Sequence, residues 1–201
     1  MQPGDEELMR KVKEGDMSAF DVLVRRWEHR LFNLIYKIIG DFEAAEDIRQ
    51  EVLLRVYQSA RRYRPQNQFK TWVYRIAINC SISELRRRER HRMFPLTMSY
   101  QHKDGEQQPL ENILPDPNPQ PDEIIQRSEI AKHIQDALRR LPDDQRIVIV
   151  LRHYEGLKFQ QIASVLGCPL GTVKSRMRRG LDQLRVFLKN LHWEEGANHG
   201  L

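Results

Sequence analysis

The C-terminal third of the chain carries basic side chains at a spacing that suits binding to a polyanion. Residues 171–189 hold six Lys or Arg side chains and one acid, a local net charge of +5. In a helix, one face would carry the apolar side chains Val173, Met177, Leu181 and Leu184. The opposite face would carry Ser175, Arg178 and Arg179, with Lys174 and Arg176 on its flanks. Because each neutralised phosphate releases counterions, such a face would bind nucleic acid with sequence-independent affinity.

The residues just before this face predict a turn between two short helices. An apolar stripe at helical spacing marks the first helix: Ile162, Ala163 and Leu166. Gly167 can adopt a positive φ after that helix, and Pro169 prevents the helix from continuing. Thr172 can then cap the second helix. A helix, a glycine turn and a helix are also typical of an ordinary αα-corner, so it is the basic face that favours a DNA-reading helix-turn-helix.

Composition bounds the class of protein. The chain has 201 residues, a net charge of +5 and a pI of about 9.3, which favours a polyanionic partner. Basic charge is concentrated in two patches, residues 61–92 with a net charge of +8 and residues 128–201 with +4, whereas residues 1–60 carry −3. Only two cysteines occur, Cys80 and Cys168, so we expect no disulfide framework, no zinc site and no cofactor. The acidic N-terminus and the absence of a long apolar run predict a cytoplasmic protein without direct membrane insertion.

Three amphipathic helices are predicted in the N-terminal half. A short one spans Asp5–Glu14 and ends at Gly15. A long one begins at a cap provided by Asp16 or Ser18 and ends at Gly40. Asp41 opens the third, which runs from Glu43 to about Arg62.

The third helix has an unusual outer face. Asp47, Gln50, Glu51 and Leu54 share it, one turn apart. An acidic and amide patch with an apolar neighbour suits a basic protein partner better than it suits DNA. An ordinary solvated helix face is the alternative that spacing alone leaves open.

Aromatic and basic residues are interleaved between Arg61 and Arg75. Cations can follow the backbone of single-stranded nucleic acid, and aromatic rings can stack on unpaired bases at about 1–3 kcal/mol per base. Trp72 is one turn from Ile76 and is expected in the core. For Tyr63, Phe69 and Tyr74 the choice between core and base stacking stays open.

The remaining elements complete an all-α fold of two small helical domains, residues 1–94 and 122–190. Six of the ten prolines fall in residues 95–121, which predicts an extended acidic and Pro-rich linker. Asp122 caps the next helix, and Pro142 marks the start of another. Residues 147–151 have the composition of a buried strand, but their helical periodicity continues to Tyr154, so we predict a helix. The C-terminal domain is therefore a four-helix unit containing the helix-turn-helix, followed by a tail, residues 191–201.

The chain as a whole resembles the extracytoplasmic-function group of the sigma-70 family, the initiation factors of bacterial RNA polymerase. Four motifs carry the resemblance, which covers nearly the whole length: Glu46–Glu51, Phe69–Asn79, Leu141–Pro142 and Gly171–Arg176. The resemblance implies two polymerase contacts, the clamp helices of the largest subunit and the flap. The residues expected to bind the clamp helices are Asp47, Gln50, Glu51 and Leu54.

The resemblance also implies two promoter contacts. The loop from Arg64 to Lys70 would hold a flipped base of the −10 element, and the helix from Thr71 to Arg87 would read and melt that element. The residues expected to contact −10 DNA are Arg62, Tyr63, Arg64, Phe69, Lys70, Tyr74, Arg75, Asn79, Ser83, Arg86 and Arg87. The residues expected to contact the −35 element are Thr172, Lys174, Ser175, Arg176, Arg178 and Arg179.

The family further implies that the polymerase performs the chemistry, so no catalytic residue is expected in this chain. Without a recognisable C-terminal extension, the family implies control by a separate anti-sigma factor. Two other classes compete. A regulator with a helical sensor domain would need a ligand pocket or a phosphoacceptor, and a DNA recombinase would need a Ser or Tyr nucleophile on a rigid scaffold. The helical pattern offers neither.

Overall fold

The computed structural model describes residues 3–64, 68–93 and 132–197, and the regular structure in these ranges is helical throughout. The N-terminal half contains α1 (Asp5–Lys13), α2 (Met17–Ile39), α3 (Phe42–Gln58), a 3-10 turn (Ala60–Arg62) and α4 (Phe69–Met93). The C-terminal half contains α5 (residues 132–139), α6 (Asp143–Ile149), a π-helical turn (Val150–Tyr154), α7 (Phe159–Leu166) and α8 (Leu170–Ala197). This confirms the all-α fold. The predicted linker, residues 95–121, and the predicted Asp122 cap lie outside the described residues.

The predicted helix boundaries in the N-terminal half hold at most positions. The Asp16 carboxylate accepts the Ala19 amide at 3.1 Å, so Asp16 rather than Ser18 caps α2. The Asp41 carboxylate caps α3 in the same way, accepting the Ala44 amide at 2.9 Å. Gly40, in the left-handed region at φ 75°, ends α2 as predicted. The third helix is shorter than expected, because it ends at Gln58 and a separate 3-10 turn follows.

Trp27 of α2 joins α1 and α4 at the centre of the N-terminal core. Its ring packs edge-on against Phe69 and Tyr74 of α4, with centroids 5.4 and 5.6 Å apart. Its indole Nε1 donates to Asp5 of α1 at 3.0 Å. The neighbouring Glu6 carboxylate accepts the Phe69 amide at the start of α4. The short first helix therefore stabilises the beginning of α4, which carries the predicted −10 residues.

Residues 147–151 are helical, which confirms the prediction over the strand-like composition. All five side chains are buried. A helix surrounded by other helices needs apolar residues on every side, and this explains why the run is entirely apolar. Gly156, at φ 66°, ends the segment as predicted.

The helix-turn-helix forms, with one correction. Gly167 ends α7 in the left-handed region at φ 63°, as predicted. The second helix, α8, begins at Leu170, so the prediction that Thr172 caps it is wrong. The Pro169 carbonyl already accepts the amides of Thr172 and Val173, at 3.0 and 3.2 Å. Thr172 therefore lies within the first helical turn.

Within the described ranges, none of the helices combines the length and the apolarity that crossing a bilayer requires.

Candidate nucleic-acid and partner interfaces

The outer face of α3 is exposed along its whole predicted extent. Asp47, Gln50 and Glu51 are exposed, and Leu54 leaves 55% of its surface open. The opposite side of the same helix is buried through Ala45, Ile48, Val52 and Val56, as the helical spacing predicts. Glu51 forms an exposed ion pair with Arg55 at 2.6 Å, which a partner's cation can replace at little cost. The face is an open acidic surface with an apolar centre.

The aromatic residues at the start of α4, together with Tyr63 just before it, resolve the choice that the sequence left open, and Trp72 differs from its prediction. Tyr63, Phe69 and Tyr74 are at most 3% exposed, so all three belong to the core in this structure. Burial, with the charge of Glu6, raises the pKa of Tyr63 to about 12. Trp72, expected to be the core residue, is only half-buried. It stacks at a tilt on Tyr63, with centroids 5.0 Å apart, because the start of α4 turns Phe69 rather than Trp72 towards Trp27.

Trp72 also lines a cleft of about 340 Å³ between α4 and α7. The α4 side contributes Thr71 and Arg75, together with Gln68 just before the helix, and α7 contributes Gln160, Gln161 and Ser164. An aromatic face, an arginine and amide groups are suited to hold an unpaired base.

The outer face of α4 presents the other predicted −10 residues. Arg75, Asn79, Ser83, Arg86 and Arg87 are exposed and follow one another at helical spacing, and Arg62 and Arg64 are exposed before the helix. Arg87 is partly neutralised, because Glu84 accepts two of its hydrogen bonds at 2.7 and 2.9 Å. Those bonds raise the pKa of Arg87. Glu84 is partly buried, yet the two arginines that donate to it, Arg87 and Arg88, hold its pKa below the ordinary value.

Three predicted −10 residues contact the C-terminal half of the chain. Lys70 Nζ donates to the backbone carbonyl of Glu155 at 2.8 Å, and the Tyr74 hydroxyl donates to the Glu155 carboxylate. Arg75 donates to the carbonyl of Ser164. Burial and the charge of Glu155 raise the pKa of Tyr74, so its hydroxyl stays protonated and can act as this donor.

Sequence reasoning missed Glu155 and Arg30. Glu155 is only 7% exposed, and its Oε2 lies 2.9 Å from Arg30 Nε. Burial disfavours the charged form of Arg30, but the hydrogen bond and charge of Glu155 outweigh it and raise the Arg30 pKa. The two residues are 125 positions apart, so no local pattern joins them. The one available signal was a charged residue, Arg30, beside the apolar stripe of α2.

The basic face of α8 is exposed where it was predicted. Lys174, Arg178 and Arg179 are exposed, and Ser175 is half-buried with its hydroxyl donating to the Thr172 carbonyl. Arg176 differs, because its Nε lies 2.8 Å from the carboxylate of Asp144 on α6. The apolar face is buried at Val173 and Met177, whereas Leu181 is 37% exposed.

Close packing at the buried Gly180 was not predicted. A Cβ at this position would lie 2.7 Å from Ile149 Cδ1. The lack of a side chain therefore lets α8 approach α6.

Across the described part of the chain, no group of three or more His, Cys, Asp or Glu residues could hold a metal ion.

Two family descriptions match the chain in the order of its two halves. "Sigma-70 region 2" matches residues 23–91, which include α3 and nearly all of α4. "Sigma-70, region 4" matches residues 132–184, which include the helix-turn-helix.

Similar proteins cover almost the full length. The RNA polymerase sigma-H factor of Pseudomonas aeruginosa is 34% identical over 190 residues, which are 94% of this chain and 96% of that protein. The sigma factor SigW of Bacillus subtilis is 32% identical, over 91% of this chain and 96% of its own.

Solved structures share the fold. CnrH, in a complex with the cytosolic domain of CnrY, aligns with a TM-score of 0.65 at 20% identity, over 92% of this chain and 97% of that one. The sigma factor RpoE of Bartonella quintana, in a complex with the anti-sigma factor NepR, aligns with a TM-score of 0.63 at 24% identity, over 85% and 96%. With region 2 and region 4 in order and near-complete coverage by sigma-factor relatives, the chain belongs to the extracytoplasmic-function group of the sigma-70 family.

Proposed function

We propose that this sigma factor binds core RNA polymerase through the outer face of α3, opens and reads the −10 element through α4, and reads the −35 element through α8. One observation supports this proposal most strongly: the exposed acidic face of α3 and the exposed basic faces of α4 and α8 lie on separate helices of one chain. The polymerase supplies the catalytic chemistry, so the chain itself needs neither a catalytic residue nor a cofactor. Its place of action is the cytoplasm, where promoter DNA is found.

The α3 face suits a polymerase surface of opposite charge. Asp47 and Glu51 are carboxylates one turn apart, and exposed Leu54 provides an apolar contact beside them. Charges at the rim of an interface steer association, and a buried apolar side chain near its centre contributes affinity. The clamp helices of the largest subunit are the proposed partner, and the flap is the proposed partner of the C-terminal domain.

The DNA-binding roles divide according to residue type. On α8, Arg178, Arg179 and Lys174 can reach base edges and phosphates of a duplex in the major groove. On α4, the exposed stripe from Arg75 to Arg87 can follow a phosphate backbone, and the half-buried ring of Trp72 near the start of the helix can stack on a base removed from the duplex. The domain boundaries proposed are residues 1–94 and 122–190, joined by 95–121. The predicted tail, residues 191–201, begins inside α8, which runs on to Ala197.

An anti-sigma factor is the proposed regulator. The Bartonella quintana sigma factor, which shares this fold, was solved in a complex with the anti-sigma factor NepR, and CnrH was solved in a complex with the cytosolic domain of CnrY. The exposed faces of α3, α4 and α8 are surfaces to which such a protein could bind, and binding there would block the proposed contacts with polymerase and DNA.

Core binding tests the α3 assignment directly. We expect Asp47→Ala combined with Glu51→Ala to weaken binding of the full chain to core polymerase by about tenfold, since rim charges contribute about 0.5–1 kcal/mol each. The matched control is Glu14→Ala combined with Asp21→Ala, which removes two exposed acids on other surfaces. Affinity is measured by fluorescence anisotropy of the labelled chain. Equal affinity for both double variants would remove the clamp-helix assignment.

A further inference from the structure

The two halves of the chain meet around one buried carboxylate. Glu155 follows the π-helical turn of the C-terminal half and projects into the N-terminal half. There its carboxylate contacts Arg30 and Tyr74, and its backbone carbonyl accepts from Lys70. A buried charge is costly unless it is paired and hydrogen-bonded, and here both conditions are met by residues of the other half.

Further polar contacts surround this centre. Gln161 of α7 donates to Gln68 at 2.9 Å, and Gln135 of α5 donates to the Tyr36 and Lys37 carbonyls at the end of α2. The Lys37 ammonium lies 4.8 Å from the Tyr154 ring centroid. The interface combines these polar contacts with buried apolar residues of both halves. Relative motion of the domains of one chain is the ordinary expectation unless their interface is large and mainly apolar.

The surface that Glu155 occupies has the composition of an anion site. Arg30 and Lys70 supply the positive charge, and the Tyr74 hydroxyl supplies a neutral donor. The Arg30 guanidinium also lies over the rings of Trp27 and Tyr74, with centroids 5.4 and 5.8 Å away. Cations that lie against aromatic rings would bind the phosphate of an unpaired DNA strand. The Glu155 carboxylate therefore occupies a site where such a phosphate could bind.

We propose that Glu155 is an intramolecular latch, which fills the anion site of Arg30, Lys70 and Tyr74 and so holds the chain in a closed state that covers part of the −10 surface. Single-stranded promoter DNA and Glu155 compete for this site. The inference rests on the proposed −10 role of α4. In the closed state the α3 face stays open, so core polymerase can bind before the latch releases.

Full-length variants test the latch. Glu155→Gln keeps the size of the side chain and removes its charge, and Glu155→Lys reverses the charge. Glu14→Gln, at an exposed acid on another surface, is the charge control. Small-angle X-ray scattering measures closure, and anisotropy of a labelled random-sequence single-stranded DNA at fixed salt measures access to the site. Circular dichroism checks that each variant remains helical.

We expect both Glu155 variants to increase the radius of gyration and to bind the single strand about 5- to 150-fold more tightly, the range of typical coupling between two sites. Glu14→Gln should behave as the unmodified chain. Arg30→Glu alone should also open the chain, and Arg30→Glu combined with Glu155→Arg should close it again, because the ion pair is restored with its charges exchanged.

Helical Glu155 variants with an unchanged radius of gyration and unchanged DNA affinity would overturn the latch. Opening without a gain in single-strand affinity would overturn the competition for one anion site. If no variant bound single-stranded DNA at all, the −10 assignment itself would fail, and the competition with it.

Discussion

Gly40→Ala should destabilise the protein for two separable reasons. Gly40 ends α2 at φ 75°, and a left-handed conformation costs an L-residue about 1–2 kcal/mol. An added Cβ would also overlap Nε of Arg139, whose guanidinium donates to the Gly40 carbonyl. Arg139 would have to move away, and losing its hydrogen bond, although it is exposed, costs about 0.5–1.5 kcal/mol. We expect a total loss of about 2–3 kcal/mol in the free energy of unfolding.

Gly167→Ala is the matched control, because Gly167 ends α7 at φ 63° and a Cβ there meets nothing within 4 Å. Gly167→Ala should lower the free energy of unfolding only by the cost of the left-handed backbone conformation, about 1–2 kcal/mol. Urea denaturation of the full chain measures this loss. In a chain that already carries Arg139→Ala, the further loss of stability caused by Gly40→Ala should equal the loss caused by Gly167→Ala. Equal costs for the two glycine variants with Arg139 present would refute the contact between α2 and α5.

Three further predictions concern a cap, an ionisation and a DNA contact. Asp16→Ala should lower the free energy of unfolding by about 1 kcal/mol, because the Ala19 amide loses its acceptor; Ser18→Ala should cost less, and the reverse order would contradict the assignment of the cap. Below pH 10 Tyr63 should not affect the free energy of unfolding, and between pH 10 and pH 12 that free energy should fall, because the unfolded state ionises first while the folded state keeps the raised Tyr63 pKa of about 12. Tyr63→Phe should flatten this fall of stability with pH in urea denaturation. An unchanged pH dependence would contradict burial of the hydroxyl. Arg179→Ala should cost about 1–3 kcal/mol of promoter binding if it reads a base, and Arg176→Ala should cost less, because removing Arg176 also removes its competing pair with Asp144. A uniform loss over all promoters with a shallower salt dependence would assign Arg179 to phosphate instead.

Local patterns predicted the elements of this fold because the interactions that define them are local. The caps at Asp16 and Asp41 bond amides three residues away, and Gly40 acts through its own φ. The helix at residues 147–151 was predictable because its periodicity continues beyond the strand-like run. Thr172 was misplaced because α8 already begins at Leu170, where the carbonyl of Pro169 accepts the amides of Thr172 and Val173.

Long-range packing decided what local patterns left open. Whether Phe69 and Tyr74 face the core depends on Trp27, and α2 brings that ring to them only after folding. Tyr63 then packs on Phe69. In the sequence, Glu155 is an ordinary charged residue before a glycine. Its partners Tyr74 and Arg30 lie 81 and 125 residues away along the chain. The exposed face of α3 was predictable in geometry, while its partner was suggested by resemblance alone.

Transcription from defined start sites tests the central claim most directly. The full chain is mixed with bacterial core polymerase and a library of promoter fragments, and run-off transcripts are mapped at their 5′ ends. We expect transcripts that begin at single positions on a subset of fragments sharing two conserved elements, and none with core polymerase alone. Transcripts that are the same with and without the chain, together with no binding to core polymerase, would contradict it.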